Sequence, residues 1–389
     1  MLDVAIIGGG PGGLSTARRL SAGGWSVSVF EEHEQIGSPV HCTGVLAEDV
    51  IASMDLPAES VLNPLETVRF VAPAGHSFDY TTTTIEAVVI DRLAFDSALA
   101  ERASAAGATI VRGRRVIGIE PLPDGVEITF ADGSDPARAR AVVLACGANY
   151  VFQKRLGLGM PSTFLQSAQL ELPAERIGDV EIHFGSEIAP KGFAWAVPVR
   201  RPSGTFARIG VMAEGDAGAY FSRMLERVRE RWGVSLPDAA APRRRMLPLG
   251  SVKRSYADRV LAVGDAAGLV KPTTGGGIYY SVVSGEIAAE VLASRLAVND
   301  LSAGAMKEYE LRWRGRFQSE FTAQLALRYV AQRMRDADID ALFTLAATDG
   351  ILPLVRKTAR FNRHRDFILA LLRHQPARRA LFGRLASSM

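Results

Sequence analysis

The chain opens with Met1-Leu-Asp-Val-Ala-Ile-Ile-Gly-Gly-Gly-Pro-Gly-Gly13, a short apolar strand that runs straight into a glycine turn. Gly8, Gly10 and Gly13 fall on the spacing G-x-G-x-x-G. The pattern predicts a helix over residues 14–22 and a second strand over residues 26–30 that ends on Glu31. Each part has a physical task. Gly8 permits a tight turn, Gly10 removes the side chain that would block a pyrophosphate, and Gly13 lets helix and strand pack closely. The helix N-terminus offers free N–H groups and the positive end of a dipole to phosphate oxygens. Glu31 can accept hydrogen bonds from ribose hydroxyls. The order strand, glycines, helix, strand, terminal acid implies a parallel α/β sheet that binds a dinucleotide.

A second stretch far downstream adds to this. Arg259-Val-Leu-Ala-Val-Gly-Asp-Ala-Ala-Gly268 reads as an apolar strand ending in Gly264-Asp265. Lys271-Pro-Thr-Thr-Gly-Gly-Gly-Ile278 and a helical run to about residue 296 follow it. Asp265 at a strand end can hydrogen-bond a polyol hydroxyl. Gly275, Gly276 and Gly277 can bring bare backbone N–H groups to a flavin ring or its phosphates. Alone, this stretch reads equally well as an ordinary strand-turn-helix unit. Paired with a glycine turn at the chain start, it favours FAD over NAD.

The bulk numbers close off other classes. At 389 residues the chain is long enough for two or three domains. A net charge of +3 gives no footprint for nucleic acid. Cys42 and Cys146, the two cysteines, cannot supply a disulfide scaffold, a cysteine-ligated iron–sulfur cluster or a four-cysteine zinc site, and no metal is expected. They suit a reducing cytoplasm. The apolar start has no basic n-region or cleavage site and reads as a strand, not a signal peptide. No stretch reaches the roughly 20 apolar residues of a membrane span.

The rest of the chain divides by pattern. Residues 67–90 alternate and carry Thr81-Thr-Thr-Thr84, which suggests strands of a smaller sheet. Residues 91–103 have helical spacing. Strands are expected near 109–111, 115–120 and 126–130, with a hairpin turn at Asp132-Gly133. Ala141-Val-Val-Leu-Ala-Cys-Gly147 reads as a buried parallel strand. Residues 160–245 alternate with Pro/Gly punctuation, as in an antiparallel domain, and residues from 302 onward are helical and arginine-rich. The expected architecture is α/β: a discontinuous Rossmann-like FAD-binding domain (1–66, 85–150 and 250–300), an antiparallel β-sheet substrate domain (67–84 and 151–249), and a helical C-terminal region (301–389).

This layout, with Gly8–Gly13, Glu31, Arg92 and Gly264-Asp265, resembles the flavoprotein superfamily that contains p-hydroxybenzoate hydroxylase, over roughly residues 1–300. Two segments narrow the branch. Ile36-Gly-Ser-Pro-Val-His-Cys-Thr-Gly44 is similar to the Pro-Val-x-Cys-x-Gly segment of the geranylgeranyl reductase family, which places its cysteine beside the flavin. Pro190-Lys-Gly-Phe-Ala-Trp-Ala-Val-Pro198 is similar to that family's Tyr-x-Trp-x-Phe-Pro box along the isoprenoid channel, with Phe193 for the tyrosine and Val197 for the phenylalanine. Strand alternation puts Phe193 and Trp195 on one face, as an apolar pocket requires.

The resemblance implies an FAD-dependent enzyme that reduces isolated C=C bonds of prenyl chains. It implies cofactor contacts at Gly8, Gly10, Pro11, Gly12, Gly13, Glu31, Glu32, Cys42, Thr43 and Gly44. Further cofactor contacts are implied at Arg92, Val116, Gly147, Gly264, Asp265, Gly275, Gly276, Gly277 and Ile278. It implies a substrate pocket at Phe193, Trp195 and Pro198 and a catalytic role for Cys42. Read without the family pattern, Cys42 is a small buried hydrophobe and Trp195 is sheet core. Cys146 stands where many relatives of the wider superfamily carry an aspartate, which counts against NAD(P)H docking of the hydroxylase kind. The electron donor, NAD(P)H or a ferredoxin-like protein, stays open.

Three rival functions remain in view. A halogenase needs a lysine in its nucleotide domain, and the first lysine here is Lys154. An aromatic monooxygenase would use oxygen and NAD(P)H. A flavin-binding protein without turnover would bind FAD and reduce nothing. The C-terminal arginines, Arg356 to Arg384, among phenylalanines and leucines, read either as a basic rim resting on anionic lipid or as a solvated helical cap.

Overall fold

The N-terminal apolar run forms the strand Leu2–Ile7, with Val4, Ala5 and Ile6 fully buried, in a computed structural model that describes residues 1–237, 240–348 and 351–382. It is the centre of a parallel sheet. Its neighbours are Val27–Phe30 on one side and Ala137–Leu144 on the other, with Thr109–Val111 and Val260–Ala262 beyond them. Strands buried on both faces need mostly apolar side chains; Val260–Ala262 is apolar throughout, and Val27–Phe30 is apolar except for the buried Ser28. An antiparallel hairpin, Val116–Pro121 and Val126–Phe130, leans on Ala137–Leu144. The helices Pro11–Ala22, Arg92–Ala105 and Ile278–Ala297 belong to the same compact unit, which comprises Met1–Val40, Arg92–Thr163 and Pro248–Gln318.

The second unit comprises His41–Asp91, Phe164–Leu247 and Ser319–Met389. Its main sheet has seven strands in the order Arg243–Pro248, Phe164–Pro173, Gly204–Ala213, Phe193–Arg201, Val180–His183, Thr67–Val71 and Ser77–Thr81. The pair Val180–His183 and Thr67–Val71 is parallel; the other pairs with a recorded register are antiparallel. A separate antiparallel sheet joins Val45–Ala47, Ala87–Ile90 and Val61–Leu65. The expected divisions lay at 66, 85, 150, 250 and 300. The compact units divide at 40, 91, 163, 247 and 318, because that small sheet and the chain after Gln318 gather with the larger one.

One helix inside the antiparallel region escapes the alternation reading. Ala217–Trp232 buries Phe221, Met224, Leu225, Val228 and Trp232, a helical spacing, against Ala194, Ala196, Ile209 and Val211 of the sheet. Its ends are written locally. The Asp216 side chain accepts the Gly218 N–H at 2.9 Å, and Gly233 closes it at φ +57°. After it come Ala303–Ala331, Asp336–Thr348, Ile351–Thr358, Arg365–Arg373 and Gln375–Phe382. No helix among the described residues is long and apolar enough to cross a membrane.

Candidate functional site

In the first unit the glycines of the opening turn have different tasks. A Cβ on Gly8 would lie 2.4 Å from the Ala145 carbonyl oxygen, and one on Gly13 would lie 2.3 Å from the Gly8 carbonyl oxygen. A Cβ on Gly12 would lie 2.9 Å from the Ser281 carbonyl oxygen, so its small size serves helix packing. Thr16 secures the same crossing: its hydroxyl donates to Gly12 O (2.8 Å) and Gly285 O (3.0 Å). Gly10 is the exception. A Cβ there would meet nothing within 4 Å. The helix behind it starts at Pro11 with no side-chain cap and no acidic residue in its first turn. Uncapped N–H groups beside open space, with no carboxylate in that turn, suit a pyrophosphate.

Glu31 ends its strand as expected and is already engaged. One carboxylate oxygen accepts the Gly9 N–H at 2.7 Å; the other accepts the His33 N–H at 3.0 Å and meets His33 Nδ1 at 2.5 Å. It therefore also shapes the turn whose amides face the ligand space. Glu32 is exposed, 3.8 Å from Arg115. Val116 is buried in the hairpin. Arg92 holds the buried Asp96 at 2.7 Å; burial pushes the Asp96 carboxyl above the usual range while Arg92 draws it down. Gly147 takes φ +63° with open space at its Cβ position.

The downstream glycines lie in the same unit. Gly264 adopts φ +56°, and its N–H donates to Ser284 Oγ at 3.0 Å. The carbonyl of Asp265 accepts the Tyr150 hydroxyl at 2.6 Å, and a Cβ on Gly277 would lie 2.7 Å from the Asp265 carboxylate. Gly275 turns at φ +73°, and Gly276 packs over the buried Lys271. Ile278 begins the helix Ile278–Ala297. The Cys146 thiol lies 3.4 Å from Asn149 O, and burial pushes it up to about 11. It is a neutral group where an aspartate would be charged.

In the second unit one row of register partners crosses six strands on a single sheet face: Phe78, Phe70, Ile182, Trp195, Gly210 and Gln169. Phe193 sits on the same face with its ring centroid 5.7 Å from that of Trp195. The aromatic contacts continue through Phe184, Phe343 and Phe78 at 5.3–6.3 Å. Pro198 does not join them. Alternation puts it with Ala194 and Ala196, on the face that packs the helix Ala217–Trp232. Trp195 lies flat over its neighbour strand because Gly210 has no side chain; a Cβ there would stand 2.3 Å from the indole.

The next row on that face is charged. Arg208, 1% exposed, donates from Nε to Glu171 at 2.6 Å, and its Nη1 donates to the carbonyls of Thr43 (2.6 Å) and Ile90 (3.0 Å). Arg201 joins Glu171 to Asp91. Burial would raise the Glu171 carboxyl, but the Arg201 hydrogen bond and the Arg208 charge hold it below its usual range. The segment Cys42-Thr43-Gly44 is thereby fastened to the aromatic face. The Thr43 hydroxyl donates to Gln169 Oε1 at 2.7 Å, and the Gly44 N–H approaches Cys42 Sγ at 3.3 Å. The two motifs read separately in the sequence, around Cys42 and around Trp195, belong to one unit. Gln169, Glu171 and Arg208 were missed. Their signal was present: polar residues recurring inside strands that are otherwise apolar, which demand partners.

The family model for lycopene cyclase proteins matches residues 3–345. A digeranylgeranylglycerophospholipid reductase 2 of Methanopyrus kandleri is 31% identical over 91% of this chain and 92% of its own length. A digeranylgeranylglycerophospholipid reductase of Methanocaldococcus jannaschii is 29% identical over 87% and 89%. Among solved structures, a geranylgeranyl bacteriochlorophyll reductase-like protein of Thermoplasma acidophilum superposes with a TM-score of 0.84 over 100% of this chain and 99% of its own, at 22% identity. That likeness confirms the fold class read from the sequence.

Proposed function

We propose, from the premise that this chain belongs to the lycopene cyclase protein family and to that of the digeranylgeranylglycerophospholipid reductases, that it is an FAD-dependent oxidoreductase that reduces C=C bonds of a prenyl lipid. The observation that supports this most is the aromatic face of the second unit, where Phe193 and Trp195 stand beside the anchored Cys42 segment. The glycine turn supports FAD: Gly10 leaves space for a pyrophosphate, and the helix at Pro11 presents its amides to it. Bound reduced FAD would supply the hydride for one alkene carbon. The protein's share is the rest. An isolated alkene has no carbonyl to take up charge, so positive charge develops at the more substituted carbon. The ring faces of Phe193 and Trp195 stabilise that charge and exclude water. Cys42 donates its proton to the less substituted alkene carbon, which leaves the more substituted carbon to receive the hydride, and the thiolate regains a proton from solvent.

The deciding experiment is anaerobic. Protein reduced with dithionite is offered prenyl lipids, and flavin reoxidation and product mass are followed. A product heavier by two hydrogens upholds the reading; gain of oxygen or halogen, or no reoxidation with any prenyl lipid, overturns it. Cys42→Ala is expected to keep FAD bound and slow alkene reduction by about 100-fold, the scale of a lost general acid. Full turnover in that variant would remove Cys42 from the chemistry.

The basic C-terminal helices support contact with an anionic membrane surface. Residues 351–389 hold nine of the 45 Lys and Arg but one of the 42 Asp and Glu, which leaves residues 1–350 net acidic. Ile351–Thr358 and Arg365–Arg373 are amphipathic, with Arg356, Lys357, Arg360, Arg363 and Arg373 exposed. The protein is expected to float with phosphatidylglycerol liposomes at low salt and to release at high salt. Failure to float at low salt ends this proposal. The electron donor, NAD(P)H or a ferredoxin-like protein, is to be identified by which of them reduces the flavin without oxygen.

A further inference from the structure

We infer that Gln169 is a positioning residue that locks the orientation of Trp195 and the placement of Cys42 into one mechanical element. The inference rests on the reductase reading for its catalytic consequence and on geometry alone for its structural one. Gln169 is 8% exposed on the strand Phe164–Pro173. Its register partner is Gly210, whose other partner is Trp195. Because Gly210 carries no side chain, the indole crosses the intervening strand, and its Nε1–H donates to Gln169 Oε1 at 3.2 Å. The Thr43 hydroxyl donates to the same oxygen at 2.7 Å. One acceptor thus serves two donors, and a carbonyl oxygen with two lone pairs can satisfy both.

This arrangement also fixes the amide itself. Two donors on Oε1 exclude the flipped amide, in which N–H groups would confront N–H and O–H. The carbonyl of Thr43 is held independently by the buried Arg208, so the Thr43 side chain has little freedom to leave. Cys42 is the residue before it. A rotation of the indole that breaks its bond to Gln169 therefore frees the amide that restrains Thr43, and a shift at Thr43 reaches the indole by the same atom. Gln169 touches neither sulfur nor alkene in this account. It acts through Trp195 and Thr43, and its consequence is the geometry at which the proton donor meets the aromatic wall.

The test compares Thr43→Val, Thr43→Ser and Gln169→Leu in protein carrying Cys146→Ser, so that Cys42 is the sole thiol. The first readout is the rate at which a maleimide labels Cys42, which requires no substrate. Thr43→Val and Gln169→Leu are expected to accelerate labelling by about tenfold, the scale of one lost hydrogen bond, and Thr43→Ser to leave it unchanged. The Thr43→Val/Gln169→Leu double variant is expected to label no faster than Gln169→Leu alone, since both remove the same bond. The second readout is reduction of a prenyl lipid, where kcat falls about tenfold with KM unchanged in Thr43→Val and recovers in Thr43→Ser. Additive labelling effects, or labelling that does not respond to Thr43→Val, overturn the coupling whether or not the protein proves to be a reductase. If no variant or parent reduces a prenyl lipid while labelling behaves as stated, the structural coupling holds and the catalytic consequence is withdrawn.

Discussion

Gly10→Val yields a folded protein that no longer holds FAD. Val is compatible with the extended backbone of Gly10 (φ −83°, ψ 176°), and its Cβ meets no protein atom within 4 Å. The melting temperature is expected to stay within the range of a surface substitution, about 0.5 kcal/mol. The new side chain occupies the space beside the Pro11 helix that a pyrophosphate needs, so FAD affinity falls by about 100-fold or more, roughly 2.8 kcal/mol at 1.4 kcal/mol per tenfold. Gly13→Val three residues later behaves in the opposite way. Its Cβ alone would stand 2.3 Å from Gly8 O and 3.0 Å from Ala145 Cβ, so helix and strand must separate. That overpacking is expected to cost about 1–3 kcal/mol or more and to lower the melting temperature before any ligand is considered. The flavin-to-protein ratio and a thermal melt of both variants decide the matter. Stoichiometric FAD in Gly10→Val would mean that the phosphates lie elsewhere.

Replacing Arg208 with Leu is the second large effect. The guanidinium is almost wholly buried and holds a carboxylate and two backbone carbonyls from separate segments. Removing it takes this donor from the Thr43 and Ile90 carbonyls and leaves Glu171 with Arg201 alone, which is expected to cost about 2–5 kcal/mol. Denaturant unfolding measures the loss; a cost under about 1 kcal/mol would mean that solvent reaches the cluster freely. The partner sets a pH dependence. The Glu171 carboxyl lies below its ordinary value of 4.5 because Arg201 and Arg208 outweigh burial. A lowered carboxyl contributes stability that is fully present above 4.5 and is lost as the pH falls through its folded value. Acid unfolding is therefore expected to begin below that point, and Glu171→Gln, already less stable at neutral pH, is expected to show a flatter acid limb.

Much of the first unit is legible along the chain because its determinants are local or near-local. Apolar runs, the Asp132-Gly133 turn and the glycine motif place most strand boundaries within a residue or two of Leu2–Ile7, Val27–Phe30, Thr109–Val111 and Val126–Phe130. The helix Ala217–Trp232 is equally local, with Asp216 before it and Gly233 after it, but it is a single helical stretch inside a region of alternating strands, and that alternation masks its helical spacing. The interior of the candidate site was less legible for a different reason. Whether Gln169, Glu171 and Arg208 face a core, a ligand or one another depends on which strands lie adjacent, and Gln169 meets Thr43 across 126 positions. Spacing along the chain carries no record of that pairing.

The crossing of Pro11–Ala22 with Ile278–Ala297 has a consequence for biosynthesis. Gly12 and Gly285 touch through their backbones, so the turn made first is braced by a helix made more than 250 residues later. A nascent polypeptide leaving the ribosome must carry its opening βαβ segment without that brace, and without the strand Val260–Ala262, through most of translation. Non-local closure of this kind is slow. Chains stalled before Gly285 are expected to hold their flavin weakly, and chains released beyond Gln318 to hold it once that closure is complete.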